Sequence, residues 1–391
     1  MTSKTVALIC GTRPEAIKLA PLMSQLMLER HLQPVLIATG QHSSAVTKAL
    51  ESFGLEPNIG LRAEERPMPV AERVGLLITS LDLILRRVSP SVTVVQGDTS
   101  SCVAGAIAAF YNRIPVTHLE AGLRTGDLAS PFPEEGNRKI VAGLAALHLA
   151  PTPTAKANLV AEGIRKHSIA TIGNTAIDAL IAALRRNAAP AWVTAMSAQG
   201  RPVICITMHR RENWPALPGV AGAMRDSALR HPEAVFFMSA HPNPEASDGL
   251  IGALGDLANV LIRTDVAYKD FVHVLARSAL VVTDSGGIQE EASALGRPTL
   301  VLRQATERRE GLGDLIRLIG TEPNEIVRSI DSWLILEERV ARASTCSPNP
   351  YGDGHASDRA IAAIRELLGE GKRIADFVPP GLASMADRIS S

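Results

Sequence analysis

The stretch that decides the fold is Ala279–Pro298, ALVVTDSGGIQEEASALGRP. Its apolar run LVV is typical of a buried strand, the letters TDS mark a turn, and IQEEA is a good helix opening. The stretch therefore predicts a strand, a tight turn and a helix, with Ser285 as the N-cap residue. Gly286 and Gly287 have no Cβ, so a ligand can approach the backbone closely at this turn.

A helix start of this kind suits an anionic ligand. Its free amide groups and the helix dipole favour negative charge, so a phosphate or diphosphate is the expected ligand. Glu291 lies one turn into the helix, where its carboxylate can accept hydrogen bonds from ribose hydroxyls. The alternative is an ordinary strand–helix turn that needs glycine for its geometry. The stretch matches neither GxGxxG nor a P-loop, so it indicates neither dinucleotide nor Walker-type binding.

The composition limits the class of protein and its partners. A chain of 391 residues with 46% hydrophobic residues is long enough for two domains with sizeable cores. Lys+Arg and Asp+Glu are balanced at 40 each, which does not indicate a nucleic-acid or anionic-membrane partner. The four cysteines are scattered without metal-ligand spacing, and no apolar run reaches the length of a membrane span. We therefore expect a soluble, cytoplasmic protein without a metal site.

Strands and helices alternate in both halves of the chain. This rhythm predicts two Rossmann-like, doubly wound parallel sheets of the α/β class, with a ligand cleft between the two domains. We expect the first domain over residues 1–172, completed by a returning C-terminal helix within 373–391, and the second over residues 173–372. Open α/β sheets bind ligands beyond the carboxyl ends of their strands, so polar residues at those ends are the candidates for function.

A second strand–turn–helix start occurs near the N-terminus. Thr12 and Glu15 have the spacing of a capping box after the strand Thr5–Cys10. Arg13 in the turn and Lys18 one helical turn later can both face the strand end. Cations beside a helix N-terminus do not stabilise it, which favours a functional role over two solvated surface charges.

Further candidates follow the later strands of the first half. Asp98 comes directly after the predicted strand Ser91–Gln96 and is placed either for chemistry or to cap the next helix. The stretch 118–138 carries several acids, two arginines, prolines and glycines, which predicts a long and fixed irregular loop. Its candidate site residues are Glu120, Glu134 and Arg138. For Glu135, Arg124 and Asp127, salt bridges that stiffen the connection remain the plain alternative.

Polar clusters also follow strands in the second half. His209 shares the strand-end face with the Ser285 turn, whereas His241 is as well explained as a turn residue before proline. The run Arg303–Glu310 follows the last predicted strand, Thr299–Leu302.

Together these residues resemble the non-hydrolysing UDP-N-acetylglucosamine 2-epimerases of bacteria. The matching motifs keep the family's order and span nearly the whole chain: GTRPEAIK (11–18), QGDTSS (96–101), HLEAGLRTGD (118–127), SPFPEEGNR (130–138), MHRREN (208–213), DSGGIQEEA (284–292), TER (306–308) and NPYGDGHASDR (349–359). The resemblance implies two Rossmann-like domains in the GT-B arrangement and a homodimer. It also implies UDP held mainly by the second domain, with the sugar facing the first.

The resemblance assigns roles to individual positions. Ser285, Gly286 and Gly287 match the diphosphate turn, and Glu291 matches the ribose ligand. Three side chains match nucleotide and diphosphate contacts: Arg13, His209 and Arg308. Phe271 lies where the family binds uracil. Five positions match those implicated around the sugar: Lys18, Asp98, Glu120, Glu134 and Arg138.

The implied reaction inverts C2 of the sugar, converting UDP-GlcNAc into UDP-ManNAc. UDP leaves to give a 2-acetamidoglucal and is added back after a proton returns to the other face. A carboxylate takes the C2 proton, with Asp98, Glu120 and Glu134 as the choices. Cations and backbone amides stabilise the leaving diphosphate. The scheme requires neither NAD nor a metal, and the expected pathway is surface polysaccharide synthesis.

Several alternatives remain open. A hydrolysing relative would release ManNAc and UDP, and a retaining GT-B glycosyltransferase would need an acceptor groove. A related diacetamido UDP-sugar is another possible substrate, and a UDP-sugar sensor is the non-enzymatic alternative.

The chain departs from the family at two places. Arg309 stands where family members often have proline. Five positions of this chain resemble the regulatory UDP-GlcNAc site of the family: Gln41, His42, Arg66, Arg210 and His241. The glutamines expected shortly after His42 and after Arg66 are replaced by Ser44 and Pro67, so we expect weakened or absent activation.

Overall fold

The structure is a computed structural model that describes residues 3–40, 43–62, 68–208, 210–240, 244–313, 315–343 and 349–379. The chain divides into two compact units. The first contains Met1–Ala182 and Pro350–Ser391, and the second contains Ala183–Asn349.

The first unit is a parallel α/β sheet with helices between its strands. Its elements in chain order are β1 (Lys4–Cys10), α1 (Arg13–Leu26), β2 (Leu32–Ala38), α2 (Ser43–Glu51), β3 (Ile59–Gly60), α3 (Val70–Val88), β4 (Val92–Gln96), α4 (Ser100–Tyr111), β5 (Val116–Leu119), α5 (Glu134–Leu144), β6 (Leu147–Ala150), α6 (Pro153–Ala161), β7 (Ile169–Thr171) and α7 (Thr175–Arg186).

The first sheet has seven strands in the order β3-β2-β1-β4-β5-β6-β7. Every pairing in it is parallel, and β4 is buried along its whole length, as expected for a strand covered on both faces. The strand order reverses between β1 and β4, which is the point where such sheets bind ligands. The turns after β1, β4 and β5 therefore lie at the favoured edge of this sheet.

The second unit repeats this plan. Its elements are α8 (Ala191–Met196), β8 (Val203–Thr207), α9 (Leu217–Arg230), β9 (Val235–Ala240), α10 (Pro244–Leu254), β10 (Val260–Thr264), α11 (Tyr268–Arg277), β11 (Leu280–Thr283), α12 (Gly286–Ala294), β12 (Thr299–Val301), β13 (Ile316–Leu318) and α13 (Pro323–Ala343). The six strands are parallel in the order β10-β9-β8-β11-β12-β13, so the reversal falls between β8 and β11. The predicted class of two Rossmann-like parallel sheets is confirmed.

The division of the chain differs from the one expected from sequence. Residues 173–182 and 350–372 belong to the first unit. The last helix, α14 (Ala356–Leu367), begins against α7, where the carboxylate of Asp178 accepts hydrogen bonds from the amides of Ala356 (3.2 Å) and Ser357 (2.8 Å). Residues 373–379 follow the β7 edge without forming a helix, and the rest of the expected helix lies outside the described residues.

Three short strands were not predicted: β3, β7 and β13, each of two or three residues. The irregular loop expected over 118–138 is shorter than predicted, because α5 begins at Glu134 and places Glu134 and Arg138 on a helix. Cys10, Cys102 and Cys205 are buried free thiols. Among the described helices, none combines the length and apolar character needed to cross a bilayer.

Candidate active site

The turn after β1 is built around Glu15. Its Oε2 accepts hydrogen bonds from the amides of Gly11 (3.0 Å) and Thr12 (2.8 Å) and from the Thr12 hydroxyl (2.8 Å). The sequence predicted this carboxylate only as half of a capping box. The structure buries it completely and uses it to hold the turn that carries Arg13, which is the first residue of α1.

Glu120, directly after β5, has a fixed carboxylate. Lys18 forms an ion pair with its Oε1, and Asn174 donates to the same oxygen at 3.1 Å. Gln96, the last residue of β4, donates to Oε2. The backbone at Glu120 has a φ of 66°, a strained conformation for a residue with a side chain. The structure thus brings the predicted pair Lys18 and Glu120 together, with both side chains buried.

Asp98, two residues after the end of β4, is held by Arg138 from α5. The Arg138 Nε and Nη2 atoms lie 2.8 Å and 2.5 Å from Asp98 Oδ2. Arg138 Nη1 also contacts Glu135 Oε2 at 2.9 Å, and Asn137 donates to the Asp98 carbonyl at 2.7 Å. Because Gln96 pairs with Leu119 in the sheet, Asp98 and Glu120 follow neighbouring strand ends.

Glu134 opens α5 and differs from the other two carboxylates. Its Oε2 is buried and accepts no hydrogen bond within the described part of the chain. Uncompensated burial of a carboxylate oxygen is costly, and such groups are retained where function requires them. The neighbouring Glu135 is fully buried between Arg138 and the amides of Thr125 and Gly126, so its role is structural. Arg124 likewise forms the predicted kind of salt bridge, with Glu162 at 2.7 Å.

In the second unit, Asp284 joins the turn after β11 to the turn after β8. Its Oδ2 accepts hydrogen bonds from the Arg210 amide (3.1 Å) and from Asn213 Nδ2 (3.0 Å). Arg210 Nε also donates to the Asp284 carbonyl at 3.1 Å. Arg210, predicted as part of a regulatory site, therefore also fixes the loops of its own unit.

Ser285 is the N-cap residue of α12, as predicted, although its hydroxyl makes no capping hydrogen bond. A Cβ on Gly286 would lie 2.5 Å from the Arg308 guanidinium carbon, so this glycine makes room for an arginine. A Cβ on Gly287 would meet nothing within 4 Å. Gly286 is thus required by the packing of the unit, while the backbone at Gly287 is open to a ligand.

Arg308 is buried beside the start of α12. Its Nε donates to Glu290 Oε1 at 2.8 Å, and its Nη1 pairs with Glu307. Burial alone would raise the pKa of Glu307, but the positive charges of Arg308, Arg303 and Arg210 outweigh it and hold that pKa well below its usual range. The arginines therefore face a permanently charged carboxylate at the strand-end edge of this sheet.

Glu291 and Phe271 lie on neighbouring elements with different surroundings. Glu291 is buried on α12 and accepts a hydrogen bond from the Tyr268 hydroxyl at 2.9 Å. Phe271 is 4% exposed, and its ring packs in the core with Val274, Leu275 and other apolar residues. The expected role of Phe271 at uracil stays a prediction.

The remaining predicted residues lie outside the described part of the chain: Gln41, His42, Arg66, His209 and His241.

The sequence assigned no site role to several side chains that build these sites: Glu15, Gln96, Asn174, Tyr268, Asp284, Glu290 and Glu307. Most of them stand inside the motifs quoted above or directly at a strand end, and that position was the available signal. Their partners are distant in sequence, so the signal did not reveal what they contact.

Comparison with known proteins decides the family. A family model described as UDP-N-acetylglucosamine 2-epimerase matches residues 25–365. The chain belongs to the UDP-N-acetylglucosamine 2-epimerase family. The resemblance inferred from the motifs is thereby confirmed at the level of this family.

Individual family members match over nearly the whole chain. The UDP-N-acetylglucosamine 2-epimerase of Escherichia coli K12 is 36% identical over 369 residues, covering 92% of this chain and 98% of its own. A crystal structure of a putative family member from Listeria monocytogenes superposes with a TM-score of 0.91 at 35% identity, covering 97% of this chain and 100% of its own. The Neisseria meningitidis family member, solved bound to UDP-GlcNAc, gives a TM-score of 0.87 at 34% identity and covers 93% and 100%.

Proposed function

We propose that this epimerase-family chain converts UDP-N-acetylglucosamine reversibly into UDP-N-acetylmannosamine without releasing the free sugar. The observation that carries the proposal is the set of three carboxylates at the strand-end edge of the first sheet, each in a different environment. Asp98 is paired with Arg138, Glu120 is paired with Lys18, and Glu134 has a buried oxygen that accepts no hydrogen bond from the described residues.

The proposed reaction removes and restores the proton at C2. A carboxylate takes the C2 proton, the C1–O bond breaks with its electron pair going to UDP, and a C1=C2 double bond forms. A proton then returns to the opposite face of C2, and a UDP oxygen attacks C1. Glu134 is suited to the proton transfer because its Oε2 accepts no hydrogen bond from the described residues and can take a proton without losing one of them.

The cations of the first unit have a separate role in this proposal. Lys18 and Arg138 hold the carboxylates of Glu120 and Asp98 in fixed orientations around the sugar. Arg13, at the start of α1, contacts the phosphates. A network fixed before the substrate binds does not need to reorganise during the reaction, which is how electrostatic stabilisation lowers a barrier.

The second unit supplies the UDP contacts. Ser285 and Gly287 present backbone groups to the diphosphate, Arg308 supplies positive charge, and Glu291 accepts hydrogen bonds from the ribose. His209 stabilises the leaving diphosphate. The relative from Neisseria meningitidis was solved bound to UDP-GlcNAc, which supports this nucleotide sugar as the proposed ligand.

The proposed cycle needs no cofactor. Elimination and re-addition involve no hydride transfer, so the scheme does not use NAD. Side-chain cations and backbone amides, rather than a metal, stabilise the leaving diphosphate in this proposal. We further propose a cytoplasmic role in supplying UDP-ManNAc for surface polysaccharides.

We also propose that the protein acts as a homodimer. Leu76 and Leu83 on α3 are 53% and 66% exposed and lie seven residues apart, on one face of the helix. Exposed apolar side chains that share a face are typical of an interface, and a second copy of the chain is the expected occupant.

The deciding experiment follows UDP-GlcNAc in D2O by proton NMR. A mixture of UDP-GlcNAc and UDP-ManNAc, both gaining deuterium at C2, supports the proposal. Accumulation of free ManNAc and UDP would place the protein on the hydrolysing branch instead. Bound but unchanged UDP-GlcNAc would point to another UDP-sugar or to a sensor.

Carboxamide variants extend this test to single residues. Glu134→Gln and Asp98→Asn should lower kcat by about a hundredfold or more, the usual contribution of general acid–base catalysis. Asp127→Asn is the matched control, because Asp127 is an exposed acid of the same loop. Unchanged turnover in both site variants would remove these carboxylates from the chemistry.

A further inference from the structure

Glu15 contacts two strand-end turns with its two carboxylate oxygens. Oε2 holds the turn after β1 through Gly11 and Thr12, as described above. Oε1 accepts a hydrogen bond of 2.6 Å from the hydroxyl of Thr99, which belongs to the turn after β4 and lies 84 residues away in sequence. The side chain is 0% exposed. A capping box alone uses one carboxylate oxygen at a helix end, so the second contact is an additional function.

The two turns are also packed directly on each other. A Cβ on Gly11 would lie 1.9 Å from the Ser101 hydroxyl oxygen, a distance that no real contact allows. Ser101 in turn shares a hydrogen bond of 2.7 Å with Thr39, the residue after β2. Glycine at position 11 is therefore needed for the close approach of the β1 turn to the start of α4.

Thr99 also contacts α4. As the N-cap of that helix, its hydroxyl accepts a hydrogen bond from the Cys102 amide at 3.1 Å. The residue before it is Asp98, and the residue after Thr12 is Arg13. The chain of contacts from Thr12 through Glu15 and Thr99 thus ends, on each side, next to a proposed site residue.

We propose that Glu15 is a positioning residue that fixes the turns after β1 and β4 to each other and so holds Arg13 and Asp98 in one arrangement. The proposal rests on the proposed function only in assigning Arg13 and Asp98 to the substrate. The mechanical part, the coupling of two turns through one buried carboxylate, can be measured without any reaction.

Burial raises the pKa of Glu15 to about 7, against the opposing effect of its hydrogen bonds from Thr99, Gly11 and Thr12. The nearby thiols of Cys10 and Cys102 stay neutral, because burial raises the pKa of both. The groups that donate to the Glu15 carboxyl group, the amides of Gly11 and Thr12 and the hydroxyls of Thr12 and Thr99, are also neutral. Such surroundings suit a side chain that orients two turns.

The experiment uses substitutions at Thr99, the far end of the link. Thr99→Val keeps the shape of the side chain and removes the hydroxyl, whereas Thr99→Ser keeps the hydroxyl. Hydrogen–deuterium exchange is measured on peptides covering residues 10–16, which contain no substitution. We expect the amides of Gly11 and Thr12 to exchange about fivefold faster or more in Thr99→Val, as for the loss of one hydrogen bond, and at the wild-type rate in Thr99→Ser.

Steady-state kinetics of UDP-GlcNAc epimerisation give the second readout. Thr99→Val should lower kcat about tenfold, leave the affinity for UDP within twofold of wild type, and be rescued by Thr99→Ser. A residue with only a structural role would lower the melting temperature without this selective loss of kcat.

The outcomes separate the two proposals. Unchanged exchange at residues 11 and 12 in Thr99→Val would overturn the coupling, whether or not the protein is an epimerase. A wild-type protein without turnover would overturn the proposed function, while the exchange result would still decide the role of Glu15. If Thr99→Val does not fold, Glu15→Gln replaces it, and exchange is measured on peptides covering residues 97–103, which contain no substitution. Faster exchange of the Cys102 amide, which donates to Thr99, is then expected, and unchanged exchange there would overturn the coupling.

Discussion

Replacing Glu15 by glutamine should change how the stability of the first unit depends on pH. The carboxyl group is fully buried, and burial raises its pKa from 4.5 to about 7. A group whose pKa is raised on folding binds its proton more tightly in the folded protein. Its stabilising contribution is therefore complete below pH 4.5 and is lost as the pH rises through 7.

The size of the effect follows from the two pKa values. The difference between 4.5 and about 7 corresponds to about 3 kcal/mol of unfolding free energy, which the wild-type protein loses between pH 4 and pH 8. Glutamine has no proton to lose. The free energy of unfolding of Glu15→Gln, minus that of the wild type, should therefore rise by about 3 kcal/mol over the same range.

Urea unfolding of both proteins at several pH values measures this difference. Circular dichroism follows both units, whereas tryptophan fluorescence follows the second unit alone, because Trp192, Trp214 and Trp333 all lie within it. The fluorescence transition is thus an internal control that the substitution should not shift. A difference that stays flat, or that falls with rising pH, would refute the reasoning, since it would mean that the hydrogen bonds to Glu15 outweigh its burial.

Three further substitutions test the second unit and the proposed dimer. Gly286→Ala should lower the thermal stability of the second unit, because the new methyl group would displace the guanidinium of Arg308, now 2.5 Å from that point. Tyr268→Phe should weaken UDP binding about tenfold in calorimetry, since Glu291 loses the hydroxyl that orients it. Leu83→Glu should shift the protein from dimer to monomer in sedimentation experiments, because it places a charge at the proposed dimer interface.

Each of these variants has a matched control. Gly287→Ala adds the same methyl group where nothing lies within 4 Å, so its thermal stability should stay close to that of the wild type. Tyr111→Phe removes the hydroxyl of an exposed tyrosine, and Leu229→Glu adds a charge at an exposed leucine of α9. Equal effects in a variant and its control would contradict the corresponding explanation.

The fold could be predicted from sequence because its signals are local. Apolar runs such as Leu280–Thr283 alternate with capped helix starts, and the structure places both where the pattern indicates. The strands that escaped prediction, such as β3 over Ile59–Gly60, are too short to produce a pattern of their own. Their strand conformation comes from pairing with neighbours that lie far away in sequence.

The site could be predicted only in part, for the same reason. Asp98 and Glu120 were identified because they follow strands, but their partners Arg138 and Lys18 are 40 and 102 residues away. The role of Glu15 at Thr99 depends on the packing of two turns and leaves no local trace. Likewise, the sequence suggested that Gly286 admits a ligand, whereas the structure shows that it admits Arg308.

The return of the chain to its first unit has a consequence for biosynthesis. Tyr351 and Phe377 are buried in that unit, and Lys4 in its first strand pairs with Glu370 at 2.9 Å. The ribosome therefore synthesises the whole second unit before it synthesises the C-terminal segment of the first unit, Pro350–Ser391. The second unit, which is continuous in sequence, can fold while the earlier-made part is still incomplete. The first unit is thus the first to be started by the ribosome and the last whose chain is complete.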